Sequence, residues 1–259
     1  MLNIENFDIK LNTDYIGRTF IYADELISTN TLLMDKKSGY NNHGTVLFAE
    51  KQTKGRGRKD RVWYSSPESN LTFSILLSKD KEILKNINFL NFAASLSVAL
   101  SIENLYQLNT SLKWPNDVLI NEKKTSGILI ESTSQGSRID RVVIGIGVNV
   151  NQNSFQGVFN YPPTSIRNEL GRSVERERLL AELLNNFEAE IEKMKIDKSE
   201  LLNDWKSRCR MIGERISIFE DDKEKFGIFD DIDDNGFLLL KTKDGMERIH
   251  FGDVSLGSH

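Results

Sequence analysis

Residues 51–63 read KQTKGRGRKDRVW. Six of the first eleven are Lys or Arg, while the whole chain carries a formal net charge of −4. Cations gathered around Gly55 and Gly57 suit one task, holding an anion. Glycine lets backbone N–H groups come close to a ligand. A guanidinium holds a phosphate or carboxylate through two parallel hydrogen bonds. Each charge-assisted bond is worth about 1.5–3 kcal/mol once water is excluded. Repulsion among six cations disfavours an ordered loop until an anion neutralises it, so ordering on ligand binding is expected. A solvated surface loop, or one lying on nucleic-acid phosphates, would use the same residue types. No GxxxxGK(S/T) pattern is present, so this is not a Walker A loop. Trp63 closes the stretch, either as a core anchor that packs the loop's end down or as a platform for a ligand ring.

Two further islands carry chemistry. In SLKWPNDVLI (111–120), Pro115 biases Trp114 towards extended geometry, and Asn116 and Asp117 follow in a tight turn. Turn chemistry alone explains Asn and Asp there; alternatively Asp117 points at a site, where its carboxylate holds a metal ion or a ligand hydroxyl. In EKKTSGILIE (122–131), Lys124 starts a strand a few residues from Asp117. It can neutralise a carboxylate and a phosphate together, or it is simply a turn lysine. Gly127, Gly145 and Gly147 sit inside strand patterns, which signals a bulge or a backbone approached closely by another group. Asn149 and Asn151 follow at a strand end.

The elements that must position these residues alternate. Strand patterns at 18–26, 45–52 and 70–78 flank a short helix at 28–39 and the basic loop. Ser28, Thr29 and Asn30 are its N-cap candidates and Gly39 its stop. Residues 86–106 are apolar nearly all round and predict a buried helix. SLKWP, DVLI, TSGILIEST and RVVIGIGVNVN are β-rich, with NEKKT as the turn of an antiparallel hairpin. Residues 174–195 and 199–209 predict amphipathic helices. Beyond Gly213 the pattern changes to four short alternating strands, with turns at Asp234-Asn235-Gly236 and Asp244-Gly245. The expected fold class is α+β: a mixed sheet with helices over residues 1–212, then a small SH3-like β-barrel over 213–259. About forty residues make a poor independent core, so the small piece should lean on the large one.

Composition excludes several function classes. No apolar run approaches the ~20 residues that span a bilayer, so no membrane partner is expected. MLNIENFDIK is acidic and is no secretory signal. Cys209 is the single cysteine and cannot pair within the chain, which makes a cytoplasmic setting the expectation and a structural role the reading of this residue. His43, His250 and His259 are scattered, without metal-ligand spacing. Global acidity argues against a nucleic-acid coat protein. Gly257–His259 resemble a cloning remnant and are set aside.

GRGRxxRxW, KWPND, KKxSGIL and GIGVNVN, in this order and spacing, resemble the biotin protein ligases, and the resemblance runs from STN at 28–30 through the C-terminal piece. It implies the fold already read and an ATP-dependent activity: biotin is activated to biotinyl-5′-AMP, then passed to a lysine of a biotin carboxyl carrier protein or domain. Ser28, Thr29, Asn30 and Gln52 would hold biotin's head, with Gly127 and Ile128 along its apolar channel. Arg56, Gly57 and Arg58 would close over its carboxylate and the adenylate phosphate. Lys124 would contact both reacting groups. Arg61, Trp63, Asp117 and Asn149 would surround ATP and its Mg²⁺, with Asp117 as the metal-side carboxylate. Lys124, Arg58 and Asp117 are the catalytic candidates. Asp60 departs from the family's usual GRGRxGR loop. Too few residues precede the first strand to hold the winged helix-turn-helix of repressor members, so no DNA partner is expected. Homodimers occur in the family, so a dimer is an expectation. The rival readings are a lipoate or octanoate ligase of the same fold, and a non-catalytic biotin- or nucleic-acid-binding protein.

Overall fold

The computed structural model describes residues 1–256 apart from 60, 137, 158, 160, 221, 222 and 251, and for Glu220 and Leu256 the backbone alone. The chain opens with a helix that the sequence reading omitted, α1 (Ile4–Lys10). Asn3 caps it by accepting from Asn6 N at 3.0 Å, and Phe7 packs on Phe20 with ring centroids 4.6 Å apart. Seven residues are too few to show helical periodicity. β1 (Phe20–Leu26) runs into α2 (Thr29–Met34), and β2 (Val46–Gln52) returns parallel to β1. Of the three proposed caps, Ser28 is the one used, accepting from Thr31 N at 3.4 Å. Gly39 ends a following 3₁₀ turn rather than α2 itself.

β3 (Leu71–Ser78), α3 (Lys81–Lys85), α4 (Ile87–Tyr106), β4 (Thr110–Lys113), β5 (Asp117–Ile120), β6 (Lys123–Gln135) and β7 (Arg138–Val148) complete a mixed seven-stranded sheet in the order β1-β2-β3-β7-β6-β5-β4. The β5–β6 hairpin forms as expected, but its turn is shorter. Asn121 and Glu122 alone turn the chain, both at positive φ (49° and 62°), and Lys123–Thr125 already belong to β6. Asp117 is likewise the first residue of β5, not a turn residue. α5 (Ile166–Leu170), α6 (Arg176–Ile196) and α7 (Lys198–Arg208) follow.

Alternation along the strands decides where a site can be. Phe73, Ile75 and Leu77 of β3 and Val142, Ile144, Ile146 and Val148 of β7 share one apolar core with α4 and α6. The intervening residues face the other way, as the two-residue period requires. There Leu76 and Val143 meet Leu33 of α2 in a small second cluster. Farther along that same face the side chains shrink to Thr72, Ser74, Gly145 and Gly147. One face therefore carries stability, and the other leaves a shallow floor.

The C-terminal piece has five strands, not the four expected: β8 (Arg215–Glu220), β9 (Lys223–Ile232), β10 (Leu238–Thr242), β11 (Gly245–Ile249) and β12 (Asp253–Leu256), antiparallel in the order β11-β10-β9-β8-β12. The run ERIHFGDV splits because β12 pairs with β8 while β11 pairs with β10. Ile218, Phe229 and Leu240 join the main core, so the small sheet does lean on the large body. Among the described residues no helix is long and apolar enough to cross a membrane.

Candidate functional site

A cavity of about 550 Å³ lies on the small-residue face. The basic loop covers it as a narrow antiparallel turn. Trp63 N donates to Gly55 O at 3.1 Å, Gly57 N donates to Arg61 O at 2.7 Å, and Arg56 bridges Val62. Asp60, the departure in this loop, lies outside the described residues. The chain supplies carboxylates to the cations of this loop. Arg58 and Lys59 lie 3.5 and 3.9 Å from the carboxylate of Asp253, which Arg61 also pairs. Arg56 reaches Glu131 at 2.8 Å.

One end of the cavity is polar and uncharged. Ser74 Oγ, rising from β3, lies 2.6 Å from Thr29 Oγ1 and 2.5 Å from Asn30 Oδ1, and its one proton serves one of them at a time. Thr29 N donates to Gln52 Oε1 at 2.7 Å and its hydroxyl does so at 3.1 Å. Gln52's acceptor is thus taken, and its Nε2 donors remain for something else. Asn30 is held on both sides, since its Nδ2 donates to Leu129 O (3.2 Å) and Glu131 Oε2 (2.9 Å). Gly145 lies beneath it because any Cβ there would overlap Asn30 Oδ1.

The other end collects charge. Lys124 Nζ lies 2.6 Å from Asp117 Oδ1 and 6.0 Å from the ring centre of Trp63. Among the described residues the partners of Arg58 Nη1 are long, Asn116 Oδ1 at 3.4 Å and Asp253 Oδ1 at 3.5 Å. Burial pulls the Arg58 pKa below its usual value, although the carboxylates of Asp253 and Asp117 oppose the shift. Asn116 ties the turn to β6, accepting from Ile128 N (3.0 Å) and donating to Ile128 O (2.6 Å). Between the two ends Trp63 lies over Gly127 and Gly147, and a Cβ on Gly147 would overlap its indole. The close approach expected at the strand glycines is real, and the groups that make it are the protein's own Trp63 and Asn30.

Residues 22–149 match the biotin/lipoate A/B protein ligase family, and residues 211–257 match the biotin protein ligase C terminal domain. The bifunctional ligase/repressor BirA of Bacillus subtilis is 34% identical over 250 residues, 95% of this chain and 77% of that protein. The biotin–[acetyl-CoA-carboxylase] ligase of Paracoccus denitrificans is 32% identical over 238 residues, 89% of this chain and 97% of that one. A biotin protein ligase from Aquifex aeolicus, solved with biotin and ATP, superposes with a TM-score of 0.81 at 30% identity, covering 93% of this chain and all of that one (100%). The chain belongs to the biotin protein ligase family. Its activity class is ATP-dependent biotin ligation.

For this ligase, the cavity wall brings together Ser28, Thr29, Asn30, Gln52, Arg56, Gly57, Arg58, Arg61, Trp63, Asp117, Lys124, Gly127, Ile128 and Asn149, all named from the sequence. Arg56 stands apart from Arg58, Lys59 and Arg61, with its guanidinium paired with Glu131. Glu131 lies seven residues beyond Lys124 along β6, about 20 Å away on an extended strand. Trp63 lies over the floor between the two ends rather than at the nucleotide end alone. Sequence reasoning missed Lys113, which is 8% exposed and stacks 4.9 Å from the Tyr161 ring centre. Burial lowers its pKa, with Asp117 opposing and Lys124 reinforcing the shift. Phe155, Phe159 and Tyr161 also line the cavity. Three aromatics within seven residues of a Gly/Asn-rich connection were the available signal for that wall.

Proposed function

We propose that the chain binds biotin with its head at the polar end and its carboxylate at the cationic end, joins it to AMP, and passes the biotinyl group to a lysine of a carboxyl carrier domain. The observation that carries this reading is the sorting of polarity along one cavity. The uncharged relay Ser74–Thr29–Gln52 leaves amide donors for a ureido carbonyl, and an apolar dithiolane head, as in lipoate, would leave them unpaired at a cost of about 1–3 kcal/mol. At the far end Arg58, Arg61, Lys113 and Lys124 surround the place where two anions must meet.

In the first step a biotin carboxylate oxygen attacks the α-phosphorus of ATP. The new O–P bond forms as the bond to the bridging oxygen breaks, and pyrophosphate leaves. Lys124 and Arg58 offset the repulsion between the reactants and stabilise charge that grows in the transition state. The glycine floor and Trp63 fix the acyl chain so that its carboxylate meets the phosphate in line. In the second step the acceptor amine attacks the acyl carbon and AMP leaves. The ordered loop shields the mixed anhydride from water between the two steps.

Among the described residues no group of three or more His, Cys, Asp or Glu could hold a metal. Asp117, whose buried Oδ1 is met by Lys124 Nζ at 2.6 Å, fits the single carboxylate that Mg²⁺ uses alongside substrate phosphates and water, with the lysine drawn off towards the phosphates. Magnesium would then arrive with ATP and add charge stabilisation at the phosphates. In this reading residues 1–212 hold both small molecules, residues 213–259 contribute Asp253 to the loop's far side, and the reaction takes place in the cytoplasm, which the lone cysteine supports.

The test combines two measurements. ATP–pyrophosphate exchange should depend on biotin and not on lipoate, and a carrier domain incubated with ATP, Mg²⁺ and biotin should gain one biotinyl group by mass. Exchange driven equally by lipoate would overturn the substrate assignment.

A further inference from the structure

Glu131 has no role in the chemistry just described, and it does not line the cavity. It lies on β6 on the same face as Gly127 and Leu129, one position beyond the floor. A carboxylate facing inward from a strand needs partners, and Glu131 has two. Oε1 meets Arg56 Nη2 at 2.8 Å, and Oε2 accepts from Asn30 Nδ2 at 2.9 Å. One side chain therefore joins the first arm of the covering loop to the turn that forms the cavity's polar end.

The rest of the loop is held elsewhere. Arg58, Lys59 and Arg61 meet Asp253 of β12, which belongs to the other sheet. The loop thus has two anchors at opposite ends. An incoming phosphate competes directly for the arginines at Asp253. It does not compete for Arg56, whose partner lies at the polar end. The Glu131 anchor can persist when substrate fills the cationic end.

We propose that Glu131 is a positioning residue for ligand retention: it latches Arg56 over the polar end of the cavity and keeps bound biotin from leaving while the cationic end turns over. This rests on the reading that biotin's head occupies that end. The latch acts through Arg56 and Asn30 and touches no reacting atom. Arg56 is 48% exposed and Glu131 21%, so the pair belongs to the partly exposed class, and severalfold effects are expected rather than thousandfold ones.

Glu131→Gln separates the two contacts. Its carbonyl still accepts from Asn30, while its amide faces the guanidinium donor to donor. Bound radiolabelled biotin, chased with excess unlabelled biotin, should leave E131Q about two- to fivefold faster than the parent. Trypsin should cut the free variant faster within residues 54–61. The difference from the parent should shrink in high salt, as a half-exposed ion pair requires. KM for biotin should rise by more than kcat falls, and Arg56→Gln combined with E131Q should be no worse than either change alone. A merely structural role would instead lower the urea midpoint and leave the salt dependence as it was. Parental dissociation and cleavage rates in E131Q would overturn the latch, as would full additivity with Arg56→Gln. Absence of any saturable biotin binding by the parent protein would instead strike the substrate assignment, so the two failures are distinguishable.

Discussion

Gly147→Ala tests the floor of the cavity. Gly147 lies in β7, paired with Thr72 on one side and Gly127 on the other, near the middle of a seven-stranded sheet. Its backbone cannot yield. A Cβ there overlaps Trp63 Cε2, Cζ2 and Nε1, so the indole must move. Trp63 can do so at limited expense to the fold, because it is half-buried at the end of a loop and its Nε1 forms no hydrogen bond among the described residues. Overpacking that cannot be relieved costs about 1–3 kcal/mol. Relief by displacing the ring moves that penalty from the folded protein to its ligand. At about 1.4 kcal/mol per tenfold, biotin affinity should fall about five- to hundredfold, while the urea midpoint changes little. Titration calorimetry and urea unfolding on G147A, Trp63→Ala and the double variant make the check. In the Trp63→Ala background the three atoms nearest the added methyl are gone, so Gly147→Ala should there cost much less. A large loss of stability with parental affinity would refute the reasoning, as would an equal penalty in both backgrounds.

Lys113→Met should raise KM for ATP about tenfold or more, the worth of one charge-assisted contact, without lowering the urea midpoint at neutral pH. Burial holds the Lys113 pKa below its unfolded value, so its charge opposes folding at low and neutral pH, and that opposition fades as pH rises through the lowered pKa. Arg176→Met should cost about 3–5 kcal/mol in urea unfolding, because it strands the buried carboxylate of Glu50, which Arg176 meets at 2.7 and 3.0 Å. Burial alone would raise the Glu50 pKa, but the bonds and charge of Arg176, with hydrogen bonds from Tyr22 and Leu2, together outweigh it and the carboxyl ends below its usual 4.5. Its stabilising contribution is therefore full above about 4.5 and is lost as pH falls through the depressed value, so acid unfolding should be shallower in Glu50→Gln. Burial pushes the Cys209 thiol up to about 11, and the residue is 6% exposed. Iodoacetamide at pH 8 should leave it unmodified in the folded enzyme and label it in urea; labelling of native protein would contradict the packing.

The order of elements was legible because strand and helix periodicities are strong in this chain, and α4 is so apolar that only burial explains it. The short pieces were not. α1, α3 and α5 have five to seven residues each, too few for a period to repeat, and they exist because caps and tertiary contacts hold them. The four-strand reading of the C-terminal piece failed because ERIHFGDV alternates smoothly while its two halves pair with different neighbours. In the site, residue types were legible wherever charge or glycine was out of place. Partners were not. No spacing rule places Glu131 beside Arg56 or Asp253 beside Arg58, since these contacts link residues 75 and 195 apart and depend on the fold closing. Lys113 was passed over because a lone lysine ahead of Trp-Pro reads as a strand end until its burial is seen.

An acidic chain with a basic lid is thus a consistent arrangement. Six cations left in solvent would keep the loop open and the anhydride exposed. Permanent, fully buried partners would keep it shut against substrate. Partly exposed carboxylates lie between these limits, because each pair is worth about 1 kcal/mol or less and yields to a phosphate that makes several charge-assisted bonds at once. Asp253 is placed for such an exchange at Arg58 and Lys59, which it meets at 3.5 and 3.9 Å, while Arg61 holds it closely. Tighter, drier bonding at that position would stabilise the free enzyme and weaken its hold on the adenylate. On this reasoning the three cations that share the one carboxylate of Asp253 keep an excess of positive charge, and ligand binding adds a second anion to that end of the loop.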